Sequence, residues 1–421
     1  MTSDIYHPNK TFKDVVRHFA PAWFAVIMGT GAISTLFHAF PYGTGSQGLR
    51  IMTLIFFFLN LCLFITFCAI SIVRYITFPD IWGIMIRHPV QSLFTGTYPM
   101  GAITILNIAV SLIHEDYGFG GKPFLYVLWA FWWLDVISSF LCCFGVMHFM
   151  ITAQKHSLES MTSVWLLPVV TLIVASSGGG VIAPSLYKYS LNHAVITATF
   201  SIFMVSIGLT IALMMLTVYL LRLIVHGLPA GAGITSVFLP LGPTGQAGYS
   251  ILLLGQFFKS VLPLHYGNSE LLNAEATGAT IHVICTIISL ILWSLASMWL
   301  FFAVLGVQNV LRQTRIPFKV QVWGIIFPNG VYANLTLNLA STFDSPFFRV
   351  WGSIYSVATL IVWCLVASRT VMLAWNKQIF EAPCLGDIDM AQKGKCQGTE
   401  LQAVKPACAI NGGSTDTVQV T

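Results

Sequence analysis

Charged residues are scarce in this chain of 421 residues, since only 8% are Asp, Glu, Lys or Arg. A soluble domain usually carries about 25% charged residues. Hydrophobic residues make up 56% of the sequence, and the mean hydropathy is +0.79. This composition excludes an ordinary soluble domain and predicts a polytopic membrane protein. The expected surroundings are therefore a lipid bilayer, and we expect no nucleic-acid partner.

Paired cysteines are also missing. The nine cysteines are scattered singly apart from Cys142–Cys143, and none forms a CxxC pair. Such spacing gives neither a metal site nor a disulfide framework. We therefore expect no metal and no cofactor. The first 18 residues also lack the layout of a signal peptide, in which a short apolar run precedes a small-residue cleavage site.

Long apolar runs are abundant. A helix needs about 20 residues to cross the hydrocarbon core of a bilayer. Ten runs approach or exceed that length, which predicts an all-α fold of ten transmembrane helices. The predicted spans are 19–39, 49–73, 93–113, 124–150, 162–183, 191–221, 236–258, 276–309, 322–342 and 347–368. Because the loops between them are short, consecutive helices should form antiparallel hairpins.

The basic residues are distributed unevenly between the predicted loops. With the N-terminus inside, 15 Lys and Arg lie on the cytoplasmic side and 5 on the other side. The positive-inside rule then places both termini in the cytoplasm. We expect a short N-terminal segment at 1–18, a transport domain at 19–377 and a disordered tail at 378–421, where the composition becomes polar.

The odd-numbered spans differ from the even-numbered ones. The even spans are nearly continuous Leu, Ile, Phe, Val and Trp, whereas the odd spans carry Pro, Gly and hydroxyl residues. Glycines recur in four of the odd spans, at 31, 101, 245 and 330. In the remaining odd span, Val170 is a weaker equivalent of these positions. Self-similarity at a nearly fixed period indicates repeated units. We predict five repeated hairpins whose odd helices form an inner pore ring and whose even helices form an outer ring.

Polar side chains follow one face of each odd span. For any one of them helix packing is the more common use, because small and hydroxyl residues mediate helix contacts in lipid. Repetition in five spans favours a pore lining. The predicted pore-lining or anion-binding residues are Thr30, Ser34, Thr97, Thr104, Asn107, Ser176, Ser177, Thr244, Gln246, Asn329, Asn334 and Asn338. Predicted helix kinks lie at Pro99, Pro168, Pro243 and Pro328, since proline removes a backbone donor.

The ninth span contains the candidate gate. Phe327 precedes the Pro328–Gly330 break and shares a helical face with Asn334 and Asn338. A large ring on a polar face could close a pore, although an ordinary buried ring is equally compatible with the pattern. No charged residue lies in the middle of any odd span. A neutral or anionic substrate is therefore favoured, because hydroxyls, amides and helix N-termini can hold an anion.

Several motifs together resemble the tellurite-resistance/dicarboxylate transporter family, which includes the plant slow anion channels. The likeness is greatest to the fungal sulfite efflux pumps. The motifs are Gly96–Gly101, Leu241–Gly242–Pro243 with Gly245–Gln246, Trp132–Trp133 with Asp135, Val174–Ser177 with Gly179, Phe327–Pro328 with Gly330, and Phe348–Val350 with Gly352. The resemblance implies five hairpins, a pore in each subunit of a homotrimer, and occlusion by a phenylalanine at position 327.

Three functions remain open at this point. The first is export of sulfite or bisulfite across the plasma membrane, driven by the membrane potential. The second is a C4-dicarboxylate permease, although a dicarboxylate usually requires a basic clamp that the odd spans lack. The third is a membrane redox enzyme with haem on His148 and His282. Asp135, a carboxylate inside the fourth span, has either a structural or a proton-linked role.

Overall fold

A computed structural model describes residues 11–229, 231–264, 269–313, 317–382 and 385. The chain divides into two compact units, Met1–Glu381 and Ala382–Thr421. The first unit contains every long helix. The second contains only two described residues, so most of the predicted disordered tail at 378–421 lies outside the described residues, as do the first ten residues of the chain.

The described residues form an all-α structure. The long helices correspond to the apolar runs of the sequence, while α1, α4 and α10 are short additions in the connections. The thirteen α-helices are α1 (Phe12–Arg17), α2 (Phe24–His38), α3 (Gln47–Thr77), α4 (Asp80–Arg87), α5 (Thr97–Ile108), α6 (Gly121–Thr152), α7 (Leu167–Tyr187), α8 (Leu191–His226), α9 (Leu241–Val261), α10 (Glu270–Asn273), α11 (Glu275–Gln313), α12 (Ile326–Phe343) and α13 (Pro346–Trp375).

Eight helical segments among the described residues are long and apolar enough to cross a membrane. The chain is therefore an all-α polytopic membrane protein. The helices at the first and ninth predicted spans, α2 and α12, are not among the eight. They contain 15 and 18 residues, and α12 carries Asn329, Asn334 and Asn338, which lower its hydropathy.

Five helices pack against one another in a closed order. Helix α2 contacts α5, α5 contacts α7, α7 contacts α9, α9 contacts α12, and α12 returns to α2. We call these five the inner helices. Each also contacts the long helix that follows it in the chain, namely α3, α6, α8, α11 and α13. We call these five the outer helices.

Burial separates the two sets. In the most apolar window of Ser163–Tyr187, which contains α7, 94% of residues are buried. The corresponding fractions are 22% for α3 and 17% for α13. The outer helices expose large apolar side chains such as Ile72, Leu134 and Leu365. A helix with an exposed apolar surface is suited to lipid, so the outer helices carry the lipid-facing surface.

Every inner helix is preceded by a short 3₁₀ segment. These segments are Pro21–Trp23, Ser92–Gly96, Ser163–Leu166, Gly231–Phe238 and Val320–Ile325. Pro99, Pro168, Pro243 and Pro328 all lie within the first three residues of their α-helices. The first N–H groups of a helix have no intrahelical partner, so proline costs little there. The four prolines therefore mark where a 3₁₀ turn becomes an α-helix.

The repeated glycines lie where inner helices approach closely. A Cβ on Gly330 would lie 2.7 Å from the Cβ of Ala32, and one on Gly31 would lie 2.0 Å from Oγ1 of Thr104. Gly245 similarly faces the backbone of Tyr332 at 3.3 Å. These positions lack a side chain because a neighbouring helix occupies its space. The glycines thus allow the inner helices to pack closely against one another.

Candidate functional site

A cavity of about 370 Å³ lies at the N-terminal ends of the inner helices. We call it the N-terminal cavity. All five inner helices line it, and it includes Phe327 and Thr97. The inner-helix lining consists of Ala25, Met28, Thr97, Met100, Leu167, Val170, Gly242, Phe327 and Pro328. A helix N-terminus carries about half a positive charge from its aligned peptide dipoles. Five such ends directed at one cavity favour an anion there.

The side chains around this cavity add positive charge. Lys155 and Lys319 line it, and so does His156, while no Asp or Glu lines it among the described residues. Among the described residues, neither lysine forms an ion pair. Both lysines are exposed. The cavity therefore has a positive charge that no carboxylate of its described lining neutralises.

His156 is held by a chain of hydrogen bonds. The amide nitrogen of Gln154 donates to the backbone oxygen of Ile86 at 3.0 Å and to Oγ of Ser92 at 2.9 Å. This leaves Oε1 of Gln154 as the acceptor for Nε2 of His156 at 2.9 Å. The ring also packs edge-on against Trp165, with centroids 4.9 Å apart. Partial burial lowers the pKa of His156 below the ordinary value of an imidazole.

A second cavity of about 730 Å³ lies at the opposite ends of the inner helices. We call it the C-terminal cavity. Asn107, Asn334 and Asn338 line it, together with Arg349 and His38. Nδ2 of Asn338 donates to Oδ1 of Asn334 at 3.3 Å, and Arg349 pairs with Asp344 at 2.6 Å. Amide and hydroxyl groups therefore dominate the polar surface of this cavity.

The two cavities share no lining residue. From Pro328 to Asn334 there are six residues along α12, and from Val170 to Gly180 ten along α7. At a rise of 1.5 Å per residue, the closed zone is about 9–15 Å long. Phe327 is 3% exposed and lies where the N-terminal cavity meets this zone. Side chains between the cavities are buried, with Thr30 and Ser176 at 0% and Val331 at 5% exposed, so this conformation is closed there.

Other predicted pore residues lie in the closed zone and bond to neighbouring helices. Nε1 of Trp363 on α13 donates to Oγ1 of Thr30 at 3.2 Å. Ser34 donates to the backbone oxygen of Thr53 on α3 at 2.9 Å. The hydroxyl of Thr104 accepts from Nδ2 of Asn60, also on α3, at 3.2 Å. These three hydroxyls are directed at outer helices.

The predicted residues of α7 and α9 bond between these two helices, to α8, or within their own helix. Oγ of Ser176 lies 2.7 Å from Oγ of Ser250 and donates to the backbone oxygen of Ser201 at 2.7 Å. Gln246 donates to the hydroxyl of Ser177. Thr244 donates to the backbone oxygen of Pro240 at 2.8 Å. This polar layer joins α7 to α8 and α9 in the closed zone.

Asn329, two residues after Phe327, is bonded at both ends of its amide. Its Nδ2 donates to the backbone oxygen of Ile325 at 2.6 Å, and its Oδ1 accepts from the hydroxyl of Tyr355 on α13. These bonds fix the first turn of α12 against the outer helix beside it. Asn329 therefore positions the segment that carries Phe327.

Asp135 lies on α6 and borders neither cavity. It is 6% exposed and accepts a hydrogen bond from Oγ of Ser139 at 3.3 Å. One turn before it, Trp132 donates to the backbone oxygen of Ala175 on α7 at 2.9 Å. Asp135 thus belongs to the packing layer between an outer and an inner helix, away from both cavities.

Sequence reasoning missed several residues of the two cavities. Lys155 and Lys319 were used only to assign the orientation of the chain, and His156 was not singled out. Pro184 was also missed, although it lies inside α7 and borders the C-terminal cavity beside Gly180. Proline inside a helix frees the carbonyl four residues earlier, which is that of Gly180. The available signal for the lysines was their position in loops directly before odd-numbered spans.

Comparison with known proteins gives a consistent result. The family model for voltage-dependent anion channels matches residues 18–371. A sulfite efflux pump of Arthroderma benhamiae is 35% identical over 87% of this chain and 93% of its own length, and one of Trichophyton rubrum is 34% identical over the same shares. A malic acid transport protein of Schizosaccharomyces pombe is 22% identical over 85% of this chain and 79% of its own length.

The family match covers all five inner helices and the residues that line both cavities. The family consists of transporters and channels, so the interpretation as a redox enzyme with haem on His148 and His282 was wrong. The predicted resemblance is confirmed. The chain belongs to the voltage-dependent anion channel family and is a multi-pass membrane anion transporter homologous to sulfite efflux pumps.

Proposed function

We propose that this protein exports sulfite or bisulfite across the plasma membrane through the centre of the five inner helices. The observation that carries the proposal is the pair of cavities at opposite ends of one closed ring. Each cavity touches all five inner helices, and only a closed zone of about 9–15 Å separates them. Opening that zone would join the two cavities into one continuous path.

The charges around the path support an anionic substrate. The N-terminal cavity combines five helix N-termini with Lys155 and Lys319 and has no acidic residue among its described lining. Charges of one sign at a cavity mouth raise the local concentration of the opposite ion. A cation would be repelled from the same cavity, and a neutral solute would gain nothing from the charge.

The proposed gate is the side chain of Phe327. It lies at the inner limit of the N-terminal cavity on α12, beside the 3₁₀ segment Val320–Ile325 and the first-turn Pro328. Large rings at hydrophobic constrictions can close a pore by excluding water. In this proposal the ring turns aside, while Asn334 and Asn338 receive the anion on the far side.

The driving force follows from charge and orientation. Moving one charge through the membrane field contributes about 2.3 kcal/mol per 100 mV. An inside-negative membrane therefore drives anions outward without a coupled ion. The excess of basic residues in the loops on one side supports a cytoplasmic position for the N-terminal cavity and for both chain termini. Sulfite would then enter past Lys155 and Lys319 and leave through the C-terminal cavity.

The full architecture in this proposal has ten membrane crossings. The eight long apolar segments account for eight of them, and α2 and α12 complete the ring as shorter inner helices. Their polar and glycine-rich surfaces are covered by α3, α13 and the other inner helices, so they need little apolar length of their own. Homotrimer formation is part of the proposal and rests on the family resemblance.

Malate is the second candidate substrate, because a malic acid transport protein is among the relatives. Lys155 and Lys319 share one cavity and could contact the two carboxylates of a dicarboxylate. Among the described residues, however, no basic one lies in the closed zone, and a dicarboxylate is held best by a bidentate arginine. A small oxyanion therefore fits the path better than malate does.

The function is tested by flux from proteoliposomes that contain this protein alone. Vesicles are loaded with sulfite, malate, nitrate or chloride, and efflux is measured with an imposed membrane potential of either sign. We expect sulfite efflux to exceed malate efflux and to follow the potential without a proton gradient. Malate flux above sulfite flux would support the second candidate, and absence of flux for all four anions would refute anion transport.

A further inference from the structure

The loop that follows α6 carries a histidine beside the two lysines of the N-terminal cavity. His156 adjoins Lys155 in sequence, and Lys319 reaches the same cavity from the segment before Val320–Ile325. Imidazole is the side chain whose charge ordinarily changes between about pH 5 and 8. The three residues therefore give the cavity either two or three positive side chains, depending on the protonation of His156.

The hydrogen bonds determine which nitrogen of His156 can change its protonation. Because Gln154 donates to Ile86 and Ser92, its oxygen faces His156 and requires a proton on Nε2. The remaining nitrogen, Nδ1, makes no hydrogen bond and is not among the buried unpaired atoms of the described residues. A proton can therefore reach Nδ1 without breaking the bond to Gln154.

The charged groups near this ring are few. Lys155 and Lys319 share its cavity, whereas Glu159 of the same loop and Arg87 of α4 do not line it. His88, next to Arg87, accepts hydrogen bonds from the backbone of Val90 and Gln91 through its own Nδ1. No carboxylate of the described lining opposes the charge that His156 would gain.

We propose that Lys155, Lys319 and His156 form an anion-recruiting site at the cytoplasmic mouth, and that protonation of His156 increases its attraction for small oxyanions. This inference rests on the proposed function. An acidic cytoplasm would thus accelerate export. Anion binding and proton uptake would be linked, because a bound anion stabilises the imidazolium. Because partial burial lowers the pKa of His156, the imidazolium forms at a lower pH than in a free imidazole, and the effect grows as the pH falls.

The test uses nitrate, which does not itself titrate in this range, so that a pH response belongs to the protein. Nitrate efflux is measured as the pH on the cytoplasmic face falls from about 7.5 to about 5.5, the range over which a histidine changes charge. We expect wild-type efflux to rise about two- to fivefold, as electrostatic steering by one added charge allows. His156→Gln should remove this rise, while His148→Gln, on an exposed residue outside the cavity, should retain it.

The lysines are tested separately by their salt dependence. Lys155→Gln with Lys319→Gln should lower nitrate efflux at low ionic strength by about three- to tenfold. The deficit should shrink near 1 M salt, where the screening length is about 3 Å. Lys13→Gln, an exposed lysine that does not line the cavity, should behave as wild type.

The outcomes separate the two proposals. If wild-type protein carries no anion, the proposed function fails, and this inference fails with it. If wild-type protein carries nitrate but His156→Gln keeps the full pH response and the lysine variant matches wild type, the recruiting site alone is refuted. If His156→Gln loses the pH response but the lysine double variant shows the same flux and salt dependence as wild type, the role of the lysines is refuted.

Discussion

At the residue scale, Phe327 makes the sharpest prediction. Phe327→Ala removes the ring that separates the N-terminal cavity from the closed zone. Anion flux should therefore rise, because the path no longer requires this ring to turn aside. Truncating a buried phenylalanine costs about 3–5 kcal/mol of stability, so surface abundance must be measured in parallel. Flux is compared with Phe257→Ala, a similarly buried ring on α9 that does not border either cavity.

Unchanged flux per molecule in Phe327→Ala, with normal surface abundance, would refute the gate. An equal increase in Phe257→Ala would show that loosening any part of the ring suffices. Only a selective increase for position 327 supports the assigned role.

Asp135 also has a test at this scale. Asp135 lines neither cavity, which favours a packing role, so Asp135→Asn should keep the same pH response of sulfite export as wild type. The amide retains an oxygen to accept from Ser139, so the hydrogen bond survives the change. Export is measured over a pH series for both proteins. A pH response that disappears in Asp135→Asn would instead assign proton coupling to this carboxylate.

The sequence identified which residues were polar and on which helix face they lay, but not what each one bonds. Thr97, Asn107, Asn334 and Asn338 do border the cavities. Thr30, Ser34 and Ser176 bond to outer helices or to inner neighbours. Hydroxyls serve packing and solvent equally well, and only the positions of neighbouring helices decide between the two uses. Their role in anion binding stays a prediction.

At the scale of the element, the repeated unit is a 3₁₀ segment, an inner helix and an outer helix. The sequence predicted the alternation of polar and apolar spans because lipid contact demands a continuous apolar surface. It did not predict the 3₁₀ segments. Pro99 and Pro328 suggested breaks inside helices, whereas both lie in a first turn. Proline marks both situations, so its position within the helix could not be read from the pattern.

The close approach of α12 and α2 gives the prediction for this scale. Gly330→Ala places a methyl group 2.7 Å from the Cβ of Ala32. Such overpacking costs about 1–3 kcal/mol. Gly145→Ala on outer helix α6 meets nothing within 4 Å and should gain up to about 1 kcal/mol from helix propensity. Thermal unfolding in detergent should therefore give Gly330→Ala the lower Tm, and equal Tm values would contradict the close packing of the ring.

At the scale of the whole molecule, the proposed path is passive and electrically driven. An imposed potential of about 100 mV should hold a monovalent anion about 50-fold out of balance at equilibrium. Proteoliposomes with a potassium gradient and valinomycin set this potential, and internal sulfite is followed with time. Efflux should reverse direction when the potential is reversed. Efflux that ignores the potential but follows a proton gradient would indicate a coupled carrier.

Anions are proposed to pass inside the ring of five inner helices, and substituted cysteines can test this path. No cysteine of the described residues lines either cavity, so the existing thiols provide a background of low reactivity on the path. The measurement is nitrate flux through Asn338→Cys before and after a membrane-impermeant thiol reagent, with Tyr117→Cys on the exposed surface as the control. Nitrate is used because sulfite itself reacts with thiol reagents. We expect the reagent to block flux through Asn338→Cys and nitrate to slow its modification, with Tyr117→Cys unaffected. Full flux through an Asn338→Cys protein shown by mass to be modified would contradict a path through the ring.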